Sequence, residues 1–316
     1  MVELETRVGS VALRSPVMTA SGTAGHGAEL GAYGALGELG AVVVKSLAVY
    51  PWPGNPAPRV RPVPGGSMLN SVGLQGPGVA EWREHELPAL IESGAAVVAS
   101  IWGRTVQEYE EAATALEGAA GVVSVEVNVS CPNIEDRSRM FAHSAAATAD
   151  AVAAAAASRL PRWAKLSPNV ADVCEIAAAA LEAGAESLTL VNTLLGMTVE
   201  PASRHYGRRD ADAAGDGGAA FRAMPGGLSG TALHPVAIRA VYECRRAFPD
   251  AAIVGAGGIA TGGDAVEMLA AGADAVQVGT ATFADPRAPW KVQDELARWC
   301  AGRGVSVREL VGAAVR

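Results

Sequence analysis

Residues 122–133 read Val-Val-Ser-Val-Glu-Val-Asn-Val-Ser-Cys-Pro-Asn. The first half is rich in β-branched valines, which is typical of a buried strand. Two carboxamides, a hydroxyl and a thiol follow at once, and buried carboxamides cost free energy unless they find hydrogen-bond partners. A planar ligand with alternating carbonyl and N–H groups would supply partners, with Cys131 beside its reacting atom. The alternative is that Cys131 is a small buried hydrophobe and that Asn128 and Asn133 are turn residues.

Similar apolar runs recur along the chain, and each is followed by a segment of helix-like composition. The eight runs are residues 17–20, 41–45, 96–101, 122–128, 162–166, 187–192, 252–257 and 275–279. Because they are continuously apolar rather than alternating, they predict buried parallel strands. Eight strand–helix units in 316 residues favour an α/β fold of the (β/α)8 TIM barrel type over an open doubly wound sheet. No composition break separates a second domain, so we expect a single domain over residues 1–316.

The predicted strand ends are polar, and active groups of such barrels gather at the carboxyl ends of their strands. These ends carry Ser21, Lys45, Ser100, Asn128, Lys165, Asn192, Gly257 and Gly279. Two connections are longer than a strand-to-helix loop needs. Residues 46–78 are rich in proline and predict a stiffened excursion over the catalytic pole. Residues 196–227 include the charged run 204–210 and favour a solvated, partly disordered loop, with a lid over the pole as the alternative.

Composition narrows the class of partner. A formal charge of -8 and a pI near 5.2 argue against a nucleic-acid or anionic-membrane surface, which leaves a small molecule as the expected ligand. The acidic N-terminus does not resemble an export signal, and the alanine-rich run 145–157 is too short and too weakly apolar to span a membrane, so we expect a cytoplasmic protein. The four cysteines are far apart, which predicts no metal site or iron–sulfur cluster in this chain.

Residues 255–260, Gly-Ala-Gly-Gly-Ile-Ala, match the G-x-G-x-x-A pattern of dinucleotide-binding folds. A dinucleotide fold requires further strand–helix–strand units after its glycine turn, and only one predicted strand follows here. The pair Gly257-Gly258 combined with Gly279-Thr280 instead predicts a phosphate site after the seventh and eighth strands. Glycines that serve only tight turns are the alternative for either pair alone.

Two lysines stand at strand ends, where a desolvated ammonium costs several kcal/mol unless an anion or an acceptor compensates it. A phosphate-bearing flavin would use Lys45 and Lys165 well, because an ammonium can stabilise negative charge on the reduced ring or hydrogen-bond the ring or the substrate. Each lysine alone could instead lie at the surface where a loop begins.

Together these motifs resemble the class 1 dihydroorotate dehydrogenases, the flavin enzymes of pyrimidine biosynthesis, over nearly the whole chain. The Asn-x-Ser-Cys-Pro-Asn element is the most specific part of the resemblance. The matching segments, in order, are Ala20-Ser21-Gly22-Thr23, Lys45-Ser46, Gly54-Asn55-Pro56 with Pro58-Arg59, Leu69-Asn70-Ser71-Val72-Gly73-Leu74-Gln75, Asn128-Val129-Ser130-Cys131-Pro132-Asn133, Lys165-Leu166-Ser167-Pro168-Asn169, Val191-Asn192-Thr193, Gly226-Gly227-Leu228-Ser229-Gly230, Gly257-Gly258 and Gly279-Thr280.

The resemblance implies FMN, an orotate pocket and a cysteine base. FMN would be held by Ser21, Lys45, Ser46, Asn128, Lys165, Val191, Gly230, Gly257, Gly258, Gly279 and Thr280. Dihydroorotate would be bound by Lys45, Asn70, Asn128, Asn133, Asn192 and Thr193. Cys131 would remove the C5 proton while the flavin takes a hydride from C6. The cysteine base followed by Asn-Thr resembles the NAD-linked subtype, which implies a second subunit carrying FAD and a [2Fe-2S] cluster, and we expect a homodimer of this chain.

The chain departs from the family pattern at three places, one of which is the connection of residues 196–227, which is longer than expected. Ser100-Ile101-Trp102-Gly103 stands where Asn-x-Ala-Gly is common, so Ser100 would make a flavin contact with a shorter hydroxyl, and Gly76 stands where Asn often follows Leu-Gln. Three other functions are consistent with parts of the sequence: a flavin dehydrogenase of another dihydropyrimidine such as dihydrouracil, a phosphate-binding barrel lyase with Lys165 as a Schiff-base nucleophile, and a catalytically silent flavin- or nucleotide-binding module.

Overall fold

A computed structural model of the chain describes residues 3–136, 139–201 and 221–316. These residues form sixteen strands and ten α-helices. The strands are β1 (Thr6–Val8), β2 (Val11–Leu13), β3 (Val17–Thr19), β4 (Val42–Val43), β5 (Val60–Val63), β6 (Ser67–Asn70), β7 (Val97–Ile101), β8 (Val122–Asn128), β9 (Pro132–Asn133), β10 (Arg139–Met140), β11 (Arg162–Leu166), β12 (Ser187–Leu190), β13 (Leu194–Pro201), β14 (Phe221–Gly230), β15 (Ala252–Ala256) and β16 (Ala275–Val278). The helices are α1 (Val79–His85), α2 (Leu87–Glu92), α3 (Val106–Thr114), α4 (Ala145–Ala154), α5 (Val173–Glu182), α6 (His234–Ala247), α7 (Gly262–Ala270), α8 (Ala281–Ala284), α9 (Ala288–Arg303) and α10 (Val307–Leu310).

Eight parallel strands form the barrel, in the order β3-β16-β15-β12-β11-β8-β7-β4. The ring is completed between its first and last strands, where the Thr19 amide donates to the carbonyl of Ala41 and the Val43 amide donates to the Thr19 hydroxyl. All eight predicted strands are present, with ends that differ by at most two residues, so the predicted TIM barrel is confirmed. The strand β15, which precedes the glycine-rich turn, lies between β12 and β16, as in a barrel and not as in a dinucleotide fold.

The barrel interior is apolar toward the amino-terminal ends of its strands. Met18, Val98, Trp163 and Val254 are fully buried there together with residues of the hairpin formed by β1 and β2. The hydroxyl of Thr6 in this hairpin donates to the carbonyl of Asp274, immediately before β16, so the hairpin covers the amino-terminal end of the barrel. Burial of these side chains leaves the carboxyl ends of the strands as the open pole.

The helices begin where the sequence supplies an N-cap. Side chains of Thr105, Ser144, Asp172 and Thr261 accept a backbone N–H at the starts of α3, α4, α5 and α7. Such caps satisfy amides that otherwise lack an intrahelical partner, typically with about 1 kcal/mol of stabilisation each. Each helix start is thereby fixed close to a barrel strand end. None of the helices in the described ranges is long and apolar enough to cross a membrane.

A second sheet lies over the open pole, with four antiparallel strands in the order β13-β14-β6-β5. The excursion predicted for residues 46–78 is confirmed, since β5 and β6 come from it. The loop predicted for residues 196–227 is wrong for its two arms, which form the hairpin strands β13 and β14. The reason is pairing between distant parts of the chain. The strand β14 pairs with β6, and this pairing satisfies backbone N–H and C=O groups that would bind water in a loop. The charged run 204–210 lies outside the described residues.

Candidate functional site

A cavity of about 430 Å³ opens between the barrel pole and the four-stranded sheet. Most of the predicted site residues line it. Those on the cavity wall are Ser21, Lys45, Ser46, Asn70, Asn128, Lys165, Val191, Asn192, Thr193, Gly230, Gly257, Gly258, Gly279 and Thr280. The four-stranded sheet also contributes Val60, Met68, Leu195, Gly226 and Gly227, and α8 contributes Phe283, none of which was predicted as a site residue.

Three predicted residues are absent from the cavity wall: Ser100, Cys131 and Asn133. Ser100 is fully buried behind Ser46, and their hydroxyl oxygens are 2.9 Å apart. The Asn133 carboxamide oxygen instead accepts the Glu135 amide at 3.0 Å, within the segment that follows β8. The shorter side chain at position 100 therefore reaches the cavity only through Ser46.

One end of the cavity is a glycine cradle, formed by Gly257 and Gly258. Their φ angles are 137° and 70°, in the region that favours glycine. A Cβ on Gly257 would lie 2.7 Å from the Cβ of Ala237, and a Cβ on Gly258 would lie 2.6 Å from the Cβ of His234, both on α6. The turn can pack against the helix only with glycine at both positions, which leaves its backbone N–H groups close to the cavity. This supports the predicted phosphate site.

At the cavity floor, three buried side chains form a polar triad. The Lys165 ammonium donates to a carboxylate oxygen of Glu126 and to the amide oxygen of Gln277, both at 3.2 Å. The Gln277 amide nitrogen donates to the other Glu126 oxygen at 2.6 Å. The sequence reasoning singled out Lys165 but missed both partners. Glu126 was the detectable signal, because it is the one charged residue of the strand Val122–Asn128, two residues before Asn128.

Asn128 is held at both ends of its carboxamide. Its nitrogen donates to the Ser46 hydroxyl at 3.1 Å, and its oxygen accepts from Asn192 at 3.2 Å and from the Ser130 amide at 3.1 Å. The Ser46 hydroxyl in turn lies 3.1 Å from that of Ser21. The network aligns polar groups from strands β3, β4, β8 and β12 beneath one cavity, as the predicted clustering of strand ends requires.

Lys45 supplies the second positive charge of the cavity wall. Burial lowers the pKa of its ammonium, and the nearby charge of Arg59 lowers it further. Both effects oppose the charged form, so an anion bound beside Lys45 would be favoured because it relieves them. Asn70 stands on β6 in the same sheet row as Val60 and Gly227, and its carboxamide nitrogen donates to the Gly227 carbonyl at 3.3 Å.

The position of Gly76, where the family pattern commonly has Asn, is explained by His26. The imidazole Nε2 of His26 would lie 3.1 Å from a Cβ at position 76, and this nitrogen is buried with no hydrogen-bond partner among the residues that the structure describes. Burial, together with the charge of Lys45, lowers the pKa of His26 to about 4. A neutral imidazole therefore occupies the space that a longer side chain at position 76 would need.

Cys131 is fully buried against Ala48 and Trp102, with Tyr50, Trp52 and Leu74 around them. Its thiol donates to the Asn128 carbonyl at 3.4 Å, and the Tyr109 hydroxyl donates to the same oxygen at 2.7 Å. Burial raises the pKa of the thiol to about 12, despite a smaller opposing effect from Tyr109. Its chain neighbours Ser130 and Pro132 do line the cavity. The thiol is therefore one residue away from the wall and is protonated near neutral pH.

The arrangement can bind a planar molecule with an anionic tail. The glycine cradle suits a phosphate, the Lys165 ammonium has one donor left for a ring acceptor, and the carboxamides of Asn70, Asn128 and Asn192 can pair with amide edges. Both charged side chains on the described part of the cavity wall are lysines, which suits an anionic ligand.

Comparison with known proteins gives a consistent result. The family profile described as "Dihydroorotate dehydrogenase" matches residues 3–299. The chain is 40% identical over 313 residues, covering 98% of each chain, to "Dihydroorotate dehydrogenase B (NAD(+)), catalytic subunit" from Geobacter sp. (strain M21). It is 43% identical over 288 residues, 91% of this chain and 90% of the relative, to the protein of the same name from Alkaliphilus metalliredigens (strain QYMF).

Proposed function

Because the chain belongs to the dihydroorotate dehydrogenase family, we propose that it oxidises dihydroorotate to orotate in pyrimidine biosynthesis, with FMN bound in the cavity described above. The observation that carries the proposal is the meeting of the glycine cradle, the two lysines and three carboxamides on the wall of one cavity. The proposal makes the chain an oxidoreductase whose substrate and cofactor share the open pole of the barrel.

The residues present fit FMN. Gly257 and Gly258, with Gly279 and Thr280 beside them, would hold the phosphate. Glycine has no side chain that could screen its backbone N–H group from the ligand. Ser21, Ser46, Asn128, Val191 and Gly230 would hold the ring and ribityl chain, and Lys165 would donate to the ring. FMN, when bound, accepts the hydride that leaves C6 of the substrate. Ser100 would not touch the ring and would orient the Ser46 hydroxyl by a hydrogen bond.

The substrate is recognised by its amide edges and its carboxylate. Asn70, Asn128 and Asn192, with Thr193, would pair with the planar pyrimidine, and Lys45 would bind the carboxylate. Asn133 would join them from the segment after β8. That segment would also turn Cys131 toward C5, where its thiolate takes the proton. Its chain neighbours Ser130 and Pro132 lie on the cavity wall, which supports this proposal.

The contacts of Lys165 disfavour the Schiff-base lyase. An amine nucleophile must be free to attack a carbonyl carbon, whereas the Lys165 nitrogen is held by hydrogen bonds to Glu126 and Gln277, both at 3.2 Å. Other dihydropyrimidines, such as dihydrouracil, lack the carboxylate that Lys45 would bind in dihydroorotate. Anaerobic bleaching of the bound flavin by dihydroorotate but not by dihydrouracil tests this assignment.

We predict one non-covalently bound FMN per chain. Heat-released cofactor from the purified protein should co-migrate with FMN in chromatography, since the cavity provides one phosphate cradle and about 430 Å³ of space. Recovery of FAD, or no flavin binding after reconstitution, would contradict the proposed cofactor.

The rate of flavin reduction should rise with pH across 6–9. The thiolate of Cys131 is the active base, and burial raises the pKa of this thiol to about 12, so the thiolate fraction increases about tenfold for each pH unit below that value. Stopped-flow bleaching by saturating dihydroorotate, followed at several pH values, measures this slope. A flat profile over that interval would exclude the thiol as the base.

The relatives are named as catalytic subunits, which implies a partner subunit that takes part in electron transfer. We propose that the partner of this chain carries FAD and a [2Fe-2S] cluster and that the chain itself forms a homodimer. We also place the reaction in the cytoplasm, because all four cysteines are free thiols, as expected in a reducing compartment.

The isolated chain should reduce its own flavin with dihydroorotate but should pass electrons to NAD only slowly. The reason is that the glycine-rich turn after β15 belongs to a barrel and not to a dinucleotide fold. Absorbance at the NADH band during turnover measures this step, with an artificial acceptor dye as the positive control. Fast NAD reduction by the homogeneous chain would contradict the need for a partner.

A further inference from the structure

We propose that Glu126, oriented by Gln277, is a positioning residue that pairs with the charge of Lys165 and directs this side chain toward the flavin cavity. The inference rests on the proposed function, since it assigns to two buried side chains a role toward the FMN ring. Glu126 itself is fully buried and is absent from the cavity wall, so it acts through Lys165.

The geometry favours this role over simple packing. An ammonium has three donors, and two of those of Lys165 are used at 3.2 Å by Glu126 and Gln277. Gln277 bridges the pair, because its nitrogen donates to Glu126 at 2.6 Å while its oxygen accepts from Lys165. With two donors fixed from below, the third is the one left for a ligand in the cavity that Lys165 lines.

The triad also compensates the charge of Lys165. A buried ammonium costs free energy unless an anion lies beside it, and Glu126 lies 3.2 Å away. The other neighbour of β11 is β12, whose residues Ser187–Leu190 carry no charge. Across the cavity the described wall contributes one further charge, that of Lys45, which disfavours a second cation. Glu126 is therefore the group that compensates Lys165.

The test is a double-mutant cycle of FMN affinity at pH 7 with Glu126→Gln and Lys165→Met. The amide in Glu126→Gln keeps the shape of the side chain and removes the charge that faces Lys165, so the lysine should no longer be held toward the cavity. We expect Glu126→Gln alone to weaken FMN binding about tenfold, because the charge-assisted contact that orients the lysine is lost.

Two further comparisons make the outcome specific. Glu117→Gln removes a carboxylate from an exposed ion pair with Arg159 at 3.0 Å and should leave FMN affinity unchanged. In the Lys165→Met background, Glu126→Gln should have no further effect on FMN affinity, since the side chain that it positions is absent. Unchanged affinity in Glu126→Gln, or an equal effect in both backgrounds, would overturn the inference.

If Glu126→Gln alone does not fold, the double variant decides. Replacing both members of a buried ion pair by neutral residues is often tolerated, whereas removing one leaves an uncompensated charge. Recovery of folding on addition of Lys165→Met, seen as a cooperative thermal transition, supports the coupling, and failure to recover overturns it. Failure of the wild-type chain to bind FMN would overturn the proposed cofactor. Equal FMN binding by the wild type and by Glu126→Gln would overturn only the role of Glu126.

Discussion

Replacement of Cys131 by alanine is expected to slow the anaerobic reduction of flavin by dihydroorotate by about a hundredfold to ten-thousandfold. Loss of a positioned general base has this effect, which corresponds to about 3 to 5 kcal/mol of transition-state free energy. FMN and orotate binding should be largely retained, because the lysines and the carboxamides on the cavity wall are unchanged. Serine at this position should also be slow near neutral pH, since a hydroxyl is a much weaker acid than a thiol.

The measurement is stopped-flow bleaching divided by the amount of bound FMN. Cys300→Ala is a matched control, because Cys300 is also fully buried but lies on α9, away from the cavity wall. Both alanine variants should lose some thermal stability, since each deletes a buried sulfur. A catalytic role for Cys131 predicts that only its variant loses rate per bound flavin. If the two variants keep equal normalised rates, Cys131 serves packing alone.

Replacement of Gly258 by alanine should both destabilise the protein and abolish most FMN binding. The φ of 70° costs an alanine about 1 to 2 kcal/mol, and the added Cβ, 2.6 Å from the Cβ of His234 and 2.9 Å from its backbone, adds about 1 to 3 kcal/mol of overpacking. The free energy of unfolding should therefore fall by about 2 to 5 kcal/mol. The turn must shift to accept the methyl group, which displaces the backbone N–H groups that would hold the phosphate.

Gly263→Ala is the matched control for this substitution. Gly263 lies in α7, where the nearest atom to an added Cβ is the Thr261 hydroxyl oxygen at 3.5 Å. Alanine in a helix is favoured over glycine by about 0.5 to 1 kcal/mol, so this variant should be as stable as wild type or slightly more stable. Urea unfolding of the FMN-free proteins and FMN titration give both quantities. Unchanged FMN affinity in Gly258→Ala would show that the glycine cradle is not the phosphate site.

The barrel and its polar pole were predictable because both rest on local patterns. Continuous apolar runs mark buried parallel strands, and such strands deliver their following residues to one pole. For this reason Ser21, Lys45 and Asn128 were placed together from sequence, and the cavity confirms that they meet. Their individual roles toward FMN and substrate stay predictions, to be tested by the variants above.

The rest of the site depends on contacts between distant parts of the chain. Lys165 was visible as a lysine at a strand end, but its partner Gln277 is 112 positions away and no local pattern names it. The place of Ser100 behind Ser46 depends on the packing of neighbouring strands, which sequence spacing alone does not fix. The arms of residues 196–227 were assigned to a loop because the charged run 204–210 and the small residues after it are typical of a segment that does not order alone.

The sheet over the pole has a consequence for the order of folding. Asn70 on β6 bonds Gly227 on β14 across 157 positions of the chain, whereas barrel neighbours such as β7 and β8 follow each other directly. Closing so long a loop costs entropy that is recovered only when its ends already lie near each other, and contacts of large sequence separation slow folding. We therefore expect the barrel to assemble first and the sheet to join across its mouth last. The acquisition of FMN during refolding would then report the final step, after most of the helical signal has returned.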